Sequence, residues 1–148
     1  MPNDANDGEF EGAKLALFLG ERLLVITRDL RADIPWPGYL DFPGGGREAG
    51  ETPEQCVLRE ICEEVGLVLS ERDLIWRRRY ARSGGRFWFF AAHLLEASQD
   101  EIVFGDEGQG WALIDPHDYC AQELAIPYFC TQLRDYLAHA GILPSQSR

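Results

Sequence analysis

Apolar runs over Lys14 to Leu19 and Arg22 to Arg28, parted by Gly20-Glu21, predict two strands joined as a hairpin. Asp29 to Tyr39 contains Pro35, Pro37 and Gly38 and predicts a loop. Leu40-Asp41-Phe42 reads as a short extended entry to Pro43-Gly44-Gly45-Gly46, whose glycines suit a tight turn against a ligand. The spacing then becomes helical. Thr52 is placed to N-cap, Pro53 suits the first helical position, Gln55 completes a capping box, and Gly66 stands where a left-handed stop is wanted. Leu58, Ile61, Cys62 and Val65 mark the expected buried stripe. Asp73 to Arg82 and Arg86 to Leu95 flank Ser83-Gly84-Gly85 and predict a second hairpin.

Ala97 to Asp106 predicts a loop with a brief strand at Ile102 to Phe104, and Gln109 to Ile114 a last strand. Asp115 caps a short helix from Pro116. Pro127 opens a longer one ending near Ala140-Gly141, with Phe129, Leu133, Tyr136, Leu137 and Ala140 as its apolar stripe. Residues 1–12, acidic and rich in Gly, Asn and Asp, predict a disordered tail. Residues 13–142 then form one domain, followed by a C-terminal tail over 143–148. Mixed strands with helices on their faces give an α/β fold, an α/β/α sandwich with a mixed central sheet.

Composition narrows the partners. A chain of 148 residues with 45% apolar content holds one domain with a proper core. Its 14 basic and 25 acidic residues give a net charge of −11, which disfavours a nucleic-acid polymer or an anionic membrane as partner. A small anionic substrate stays open if metal ions and a few arginines reverse the local field. Cys56, Cys62, Cys120 and Cys130 show no zinc spacing and read as reduced thiols of a cytoplasmic protein. Core packing is their expected role, except for Cys56, which falls on the carboxylate side of its helix. No apolar run approaches a membrane span, and the first residues lack signal-peptide order. The chain is expected as a monomer or a homodimer.

Candidate chemistry centres on the helix after Thr52. Glu60, Glu63 and Glu64 fall on its polar face at i, i+3 and i+4, so their carboxylates are expected to converge. Like charges at that spacing repel, and two of them lie in the last turn, where the helix dipole favours cations. A divalent cation reverses both penalties, and hard oxygen ligands suit Mg²⁺ or Mn²⁺. An ordinary solvated acidic face carries the same three residues and is the competing reading.

The wider pattern decides between them. From Gly45, five residues lead to Glu51 and seven more to Arg59-Glu60-Ile61-Cys62-Glu63-Glu64-Val65-Gly66-Leu67. This resembles the Nudix box, G-x5-E-x7-R-E-U-x-E-E-x-G-U with U bulky aliphatic, at every specified position. The resemblance implies a Nudix sandwich that hydrolyses a pyrophosphate bond in a nucleoside diphosphate linked to another group. It implies Glu60, Glu63 and Glu64 as metal ligands, joined by the Gly45 carbonyl, with Arg59 and Glu51 orienting them. Glu60 is the expected general base. Glu107 is the candidate for a further loop carboxylate, with a plain acidic turn as the alternative.

Leu24-Val25-Ile26-Thr27-Arg28, Phe42-Pro43-Gly44-Gly45, Gly50-Glu51-Thr52-Pro53-Glu54-Gln55 and Glu107-Gly108-Gln109 together look like the MutT branch. That branch hydrolyses nucleoside triphosphates, including 8-oxo-dGTP, to monophosphate and pyrophosphate. It implies substrate contacts at Arg28, Phe42 and Gly44. Two departures stand out. Asp29 follows Arg28 where the branch often has a second arginine, and Glu123-Leu124-Ala125-Ile126-Pro127 offers no asparagine to read an oxidised base. An alkyl group cannot hydrogen-bond a purine edge, so broad nucleotide hydrolysis fits better than strict 8-oxoguanine selectivity.

Other readings fit less well. ADP-ribose hydrolases carry a proline past the box, and none occurs between Leu67 and Asp115. The coenzyme A signature needs an upstream basic residue where Ile34 stands. A non-catalytic nucleotide-binding module would tolerate degenerate box carboxylates, and none here is degenerate.

Arg77, Arg78, Arg79, Arg82 and Arg86 cluster in an otherwise acidic chain. By strand alternation Arg78, Tyr80 and Arg82 share one face, and Arg78 is the candidate for phosphate or base contact. A solvated or dimer-facing strand is the equal alternative. Phe87, Trp88, Phe89 and Phe90 are expected mostly in the core, with one ring free to stack on a base. His93 is expected at the core or rim, and His117 and His139 at the surface.

Overall fold

A computed structural model describes residues 9–142. Of the expected tails over 1–12 and 143–148, residues 1–8 and 143–148 lie outside the described residues. The ordered fold begins earlier than position 13, because Phe10 is buried and the Glu11 N–H donates to the Arg86 carbonyl at 2.8 Å.

Seven strands form one mixed sheet: β1 (Gly12–Leu19), β2 (Arg22–Thr27), β3 (Leu40–Asp41), β4 (Gly44–Gly46), β5 (Trp76–Arg82), β6 (Gly85–Leu94) and β7 (Gly110–Ile114). The sheet path runs β3-β2-β1-β6-β5, with β4 on β1 and β7 on β2. β1 runs parallel to β6 along its whole length, and every other pair is antiparallel.

The functional architecture comes from how β1 and β2 part. They pair only at Phe18↔Leu23 and Leu19↔Arg22. Beyond that the N-terminal end of β1 pairs with β4 instead, Lys14 opposite Gly44, while the far end of β2 takes β3, Ile26 opposite Asp41. Residues 40–46 therefore fill the wedge between two diverging strands. Pro43-Gly44-Gly45-Gly46, expected as a tight turn, is mostly strand: the ladder with β1 satisfies its backbone groups. Gly44 is needed there. Its φ is 136°, and a Cβ would sit 2.2 Å from the Ala13 carbonyl oxygen.

Two helices cover the faces. α1 (Pro53–Val65) has its Thr52 capping box and its left-handed Gly66 stop in place. It buries Cys56, Val57, Ile61 and Val65 against Ala13, Leu15, Leu17, Leu24 and Phe90. The expected stripe needs correcting: Cys62 is exposed, and Cys56 is fully buried beneath β4, where its Sγ reaches the Gly45 carbonyl at 3.5 Å. The extra contact comes from β4 lying over the carboxylate side of the helix. α2 (Pro127–Ala140) packs Phe129, Leu133, Tyr136 and Leu137 on the other face, against Ala16, Phe18, Val25, Phe89 and Ala91. Ala140 is exposed at its fraying end. Alternation along β1 thus sends Leu15 and Leu17 to one core and Ala16 and Phe18 to the other.

Three local expectations differ. β5 begins at Trp76, since residues 71–73 make a 3₁₀ turn closed by Asp73 on the Ser70 N–H. Ile102 to Phe104 is no strand. It is pinned to the end of α1 by Val103 N–H to Val65 O and Gly105 N–H to Glu64 O, both 2.9 Å. A six-residue 3₁₀ helix, Glu96–Glu101, precedes it. Asp115 caps the short Pro116–Ala121 helix, also 3₁₀, through the His117 N–H.

Candidate active site

Arg59 is the hub of the box. Its Nε donates to Glu51 Oε2 at 2.6 Å and its Nη1 to Glu60 and Glu63 at 3.1 Å each; Nη2 donates to the Gly46 carbonyl at 2.9 Å. One guanidinium thus ties the strand β4, the loop carboxylate Glu51 and two glutamates of α1. The Glu51 bond holds Arg59 above its ordinary pKa and, reciprocally, holds Glu51 below the usual carboxylate range. Glu51 also accepts the Glu48 N–H at 2.8 Å, which closes the turn before the helix.

The three box glutamates occupy three environments. Glu63 is more than half exposed and leans on Arg59. Glu60 turns inward against β4, where a Cβ on Gly45 would lie 2.7 Å from its carboxyl carbon. Burial raises its pKa, against the opposing pull of Arg59. Glu64 reaches further in and accepts the Gly44 N–H at 2.8 Å. Burial pushes it up to about 7, although Lys14 and that N–H pull the other way. Glu60, Glu63 and Glu64 line one cleft, although no group of three or more carboxylate, histidine or cysteine side chains is gathered as a ready-made ligand cluster among the described residues. Arg59 Nη1, bonded to both Glu60 and Glu63, offsets their repulsion locally.

Strand divergence contributes a second charged knot that the sequence reading missed. Lys14 Nζ donates to Asp41 Oδ2 at 3.0 Å and to the Phe42 and Gly44 carbonyls at 3.1 Å each. Arg28 Nη1 donates to the same Asp41 oxygen at 2.7 Å, and Oδ1 of Asp41 accepts the Phe42 N–H. Asp41 keeps only 8% of its side chain in solvent, and both cations pair with it there. A lysine inside the apolar run Gly12–Leu19 was the available signal.

Two clefts meet at this point. One, of about 350 Å³, is lined by Glu48, Arg59, Glu60, Glu63, Glu64, Asp106 and Glu107. The other, of about 270 Å³, is lined by residues that include Arg28, Asp29, Ile34, Asp41, Glu64 and Glu107. Glu64 and Glu107 belong to both. Asp29, the departure noted above, places Glu107: its Oδ2 accepts the Gly108 N–H at 3.2 Å, and Gln109 Nε2 donates to the Arg28 carbonyl at 2.9 Å.

Other expected residues fall elsewhere. The Phe42 ring is in the core, stacked on Phe129 at 5.2 Å, so only its backbone faces the charged knot. Arg78 lines neither cleft; it lies over Tyr80 and 3.7 Å from Asp135 of α2. It pairs with Phe89, in the same row as Lys14 and Gly44, so β6 and β1 stand between it and the glycine strand. Arg77 pairs with Glu54 and covers Trp88. His93 stacks on Phe18 at 4.4 Å and shares a 2.7 Å hydrogen bond with the Tyr136 hydroxyl.

A mixed sheet between two helices, with a glycine strand against a glutamate-bearing helix, defines the class. A model of the NUDIX domain matches residues 11–131, and the chain belongs to the Nudix family. It is 40% identical over 88 residues to the 8-oxo-dGTP diphosphatase of Escherichia coli K12, a match covering 58% of this chain and 64% of that protein. With the Haemophilus influenzae 8-oxo-dGTP diphosphatase it shares 37% over 78 residues, 53% of this chain and 56% of the other. The chain thus spans under two thirds of these relatives. A Salmonella paratyphi B nucleoside triphosphatase, NudI, is 33% identical over 119 residues, 73% of this chain and 80% of that one. In fold it resembles a MutT protein of Methanosarcina mazei, with TM-score 0.70, 14% identity and coverage of 88% and 94%. It likewise resembles an Ap4A hydrolase of C. elegans, with TM-score 0.69, 19% identity and coverage of 90% and 100%.

Nudix enzymes generally use a divalent metal, and the donor set here fits one. The inward-facing groups are hard oxygens: the Glu60 and Glu64 carboxylates and the Gly45 carbonyl, with the carboxylates' raised pKa values marking charge short of compensation. No helix of the described residues is long and apolar enough to cross a membrane.

Proposed function

We propose that this protein is a Mg²⁺-dependent pyrophosphohydrolase of nucleoside diphosphate derivatives, cutting a nucleoside triphosphate to its monophosphate and pyrophosphate. The observation that carries this reading is the seating of Glu60 and Glu64 of a complete box against the Gly44-Gly45 strand, where the two clefts join. Glu60, Glu63, Glu64, Glu107 and the Gly45 carbonyl are the proposed ligands. The bound cation supplies charge neutralisation of the phosphates.

This chain's own residues do the rest. Glu60 is the general base, its carboxylate seated inward against the Gly45 strand and held by Arg59 Nη1. As water's oxygen bonds to phosphorus and its proton passes to Glu60, the anhydride P–O bond breaks and the displaced phosphate oxygen leaves with the electron pair. Arg59 and Glu51 fix the Glu60 carboxylate, which matters because small misplacements are costly in rate. Arg28 borders the second cleft and serves there as a phosphate or sugar contact, with Gly44 shaping the wall. The substrate is a small nucleotide, the setting cytoplasmic, and the protein a monomer or homodimer. Broad hydrolysis of triphosphates is favoured over strict 8-oxo-dGTP selectivity because residues 123–127 bring no amide to the site.

A panel of ribo- and deoxynucleotides, dinucleotides and nucleotide sugars, incubated with Mg²⁺ and followed for pyrophosphate and orthophosphate, tests the proposal. Pyrophosphate release from triphosphates is expected. A folded protein that turns over nothing in the panel overturns it.

A further inference from the structure

The sheet face beneath α2 ends in an aromatic rim that holds a cation with a spare donor. Arg82, the last residue of β5, has its guanidinium carbon 3.5 Å from the Phe87 ring centroid and 4.1 Å from that of Tyr128. Its Nη1 is buried and hydrogen-bonds nothing among the described residues. An arginine keeps its charge in such a place, so a donor left over there is a costly feature for a fold to retain. Burial lowers the Arg82 pKa, and the Asp41 charge opposes that shift.

The rim adjoins the Arg28–Asp41 cleft. Phe129, 5.9 Å from the guanidinium, stacks on Phe42, the residue after Asp41. Tyr128 meets Trp36 edge-on at 6.0 Å, and Trp36 meets Tyr39 at 5.0 Å. Trp36 is the one non-glycine among the described residues with positive φ, at 53°, a conformation that side chains adopt at a cost. The acceptors beside this rim are already taken: Asp41 Oδ1 by the Phe42 N–H, Oδ2 by Lys14 and Arg28. A buried donor is available, and its neighbouring carboxylate is committed.

We propose that Arg82 reads the substrate's base: Nη1 donates to a carbonyl oxygen of a keto nucleobase whose ring lies against the Phe87, Tyr128 and Trp36 rim. This rests on the nucleotide reading above and sharpens it. Guanine and uracil present a carbonyl where adenine and cytosine present an amino group. An amino group facing Arg82 sets donor against donor and leaves both unpaired, whereas a carbonyl satisfies the spare N–H. The aromatic faces bind any base by stacking, so ring size contributes little to the choice.

The test compares bases matched for ring size. Values of kcat/KM are measured for GTP against ATP and for UTP against CTP, in the wild type and in Arg82→Met, which keeps the length of the stem. In the wild type each keto member is expected to exceed its amino partner by roughly tenfold. In R82M both ratios fall to within about twofold of one, through a rise in KM for the keto members. Wild-type ratios near one overturn the proposal without recourse to any variant. So does a uniform fall across all four substrates in R82M, which marks a structural role.

Calorimetric binding of GMP, AMP, UMP and CMP without metal separates this inference from the hydrolase reading. Keto-selective binding that Arg82→Met abolishes supports the base contact even in a protein that hydrolyses nothing. Absent or unselective binding overturns it while leaving hydrolysis to be judged on its own panel.

Discussion

Of two adjacent glutamates on α1, Glu63 leaves over half of its side chain in solvent and leans on Arg59, whereas Glu64 is half-buried under the Gly44 N–H with Lys14 nearby. The outer region, Glu51-Arg59-Glu63, is a network of paired charges at a water-facing edge. The inner region, Glu64-Lys14-Asp41-Arg28, is half-buried in the wedge between β1 and β2, with Asp41 its buried centre. Glu60 stands between them, bonded to Arg59 yet seated on Gly45. The contrast teaches that the box supplies carboxylates by spacing alone, while the wedge decides which of them is held short of compensation.

The sharpest way to break this picture is at its midpoint. Glu60→Gln is nearly isosteric and keeps an oxygen for Arg59, yet removes both a charge and the proposed proton acceptor. Turnover of the best triphosphate is expected to fall a hundredfold or more, with the melting temperature of the metal-free protein little changed. A variant with near wild-type kcat would move the base elsewhere.

Next in size is the inner knot. Lys14→Met preserves the stem but leaves Asp41 with Arg28 alone and three acceptors without their shared donor. Breaking a buried ion pair costs about 3 kcal/mol. In a chain of this size that lowers Tm by roughly 10 °C. Thermal unfolding of the two proteins in chelator checks it; a shift of only a degree or two would mean that water satisfies the knot.

These two regions were unequally legible in the sequence. Thr52, Pro53, Gln55 and Gly66 fixed the ends of α1 because caps are local chemistry. The Glu51 to Glu64 spacing likewise shows in one stretch of chain. The Lys14–Asp41 pair spans 27 positions and depends on β1 and β2 parting, which no periodicity announces. Cys56 and Cys62 exchanged their expected roles for the same reason: β4 buries a helix side that α1 alone leaves open. Arg78 was a reasonable choice by alternation, but the strand order, with β6 and β1 between β5 and β4, set its distance from the site. Arg82, on the same face, differs in having a buried Nη1 that bonds nothing among the described residues.

A pH series sharpens the inner region. The folded-state pKa of Glu64, about 7, lies above its ordinary value of 4.5, so the native state binds its proton more tightly than the unfolded chain does. Below about pH 4.5 the protonated group contributes its full stability. That contribution is lost as pH rises through 7 and changes no further above it. Denaturant unfolding in chelator from pH 4.5 to 8 is therefore expected to show a downward slope that Glu64→Gln reduces. Equal slopes in the two proteins would mean that Glu64 is ionised at no cost.

The smallest effect is the most discriminating, because it sets the two neighbours side by side. At pH 8 without metal, Glu64→Gln removes a charge that the fold disfavours and is expected to stabilise. Glu63→Gln removes one that repels Glu60 but also accepts from Arg59, which keeps Glu51 and Glu60 as partners. Repulsion relieved and attraction lost nearly cancel at an exposed site, so the change is expected within about 0.5 kcal/mol of zero. The spacing of the glutamates alone argues for a gain from either substitution, since each removes a like charge. A clear stabilisation by Glu63→Gln, matching that of Glu64→Gln, would show that Arg59 does not hold Glu63 apart and that both carboxylates share one environment.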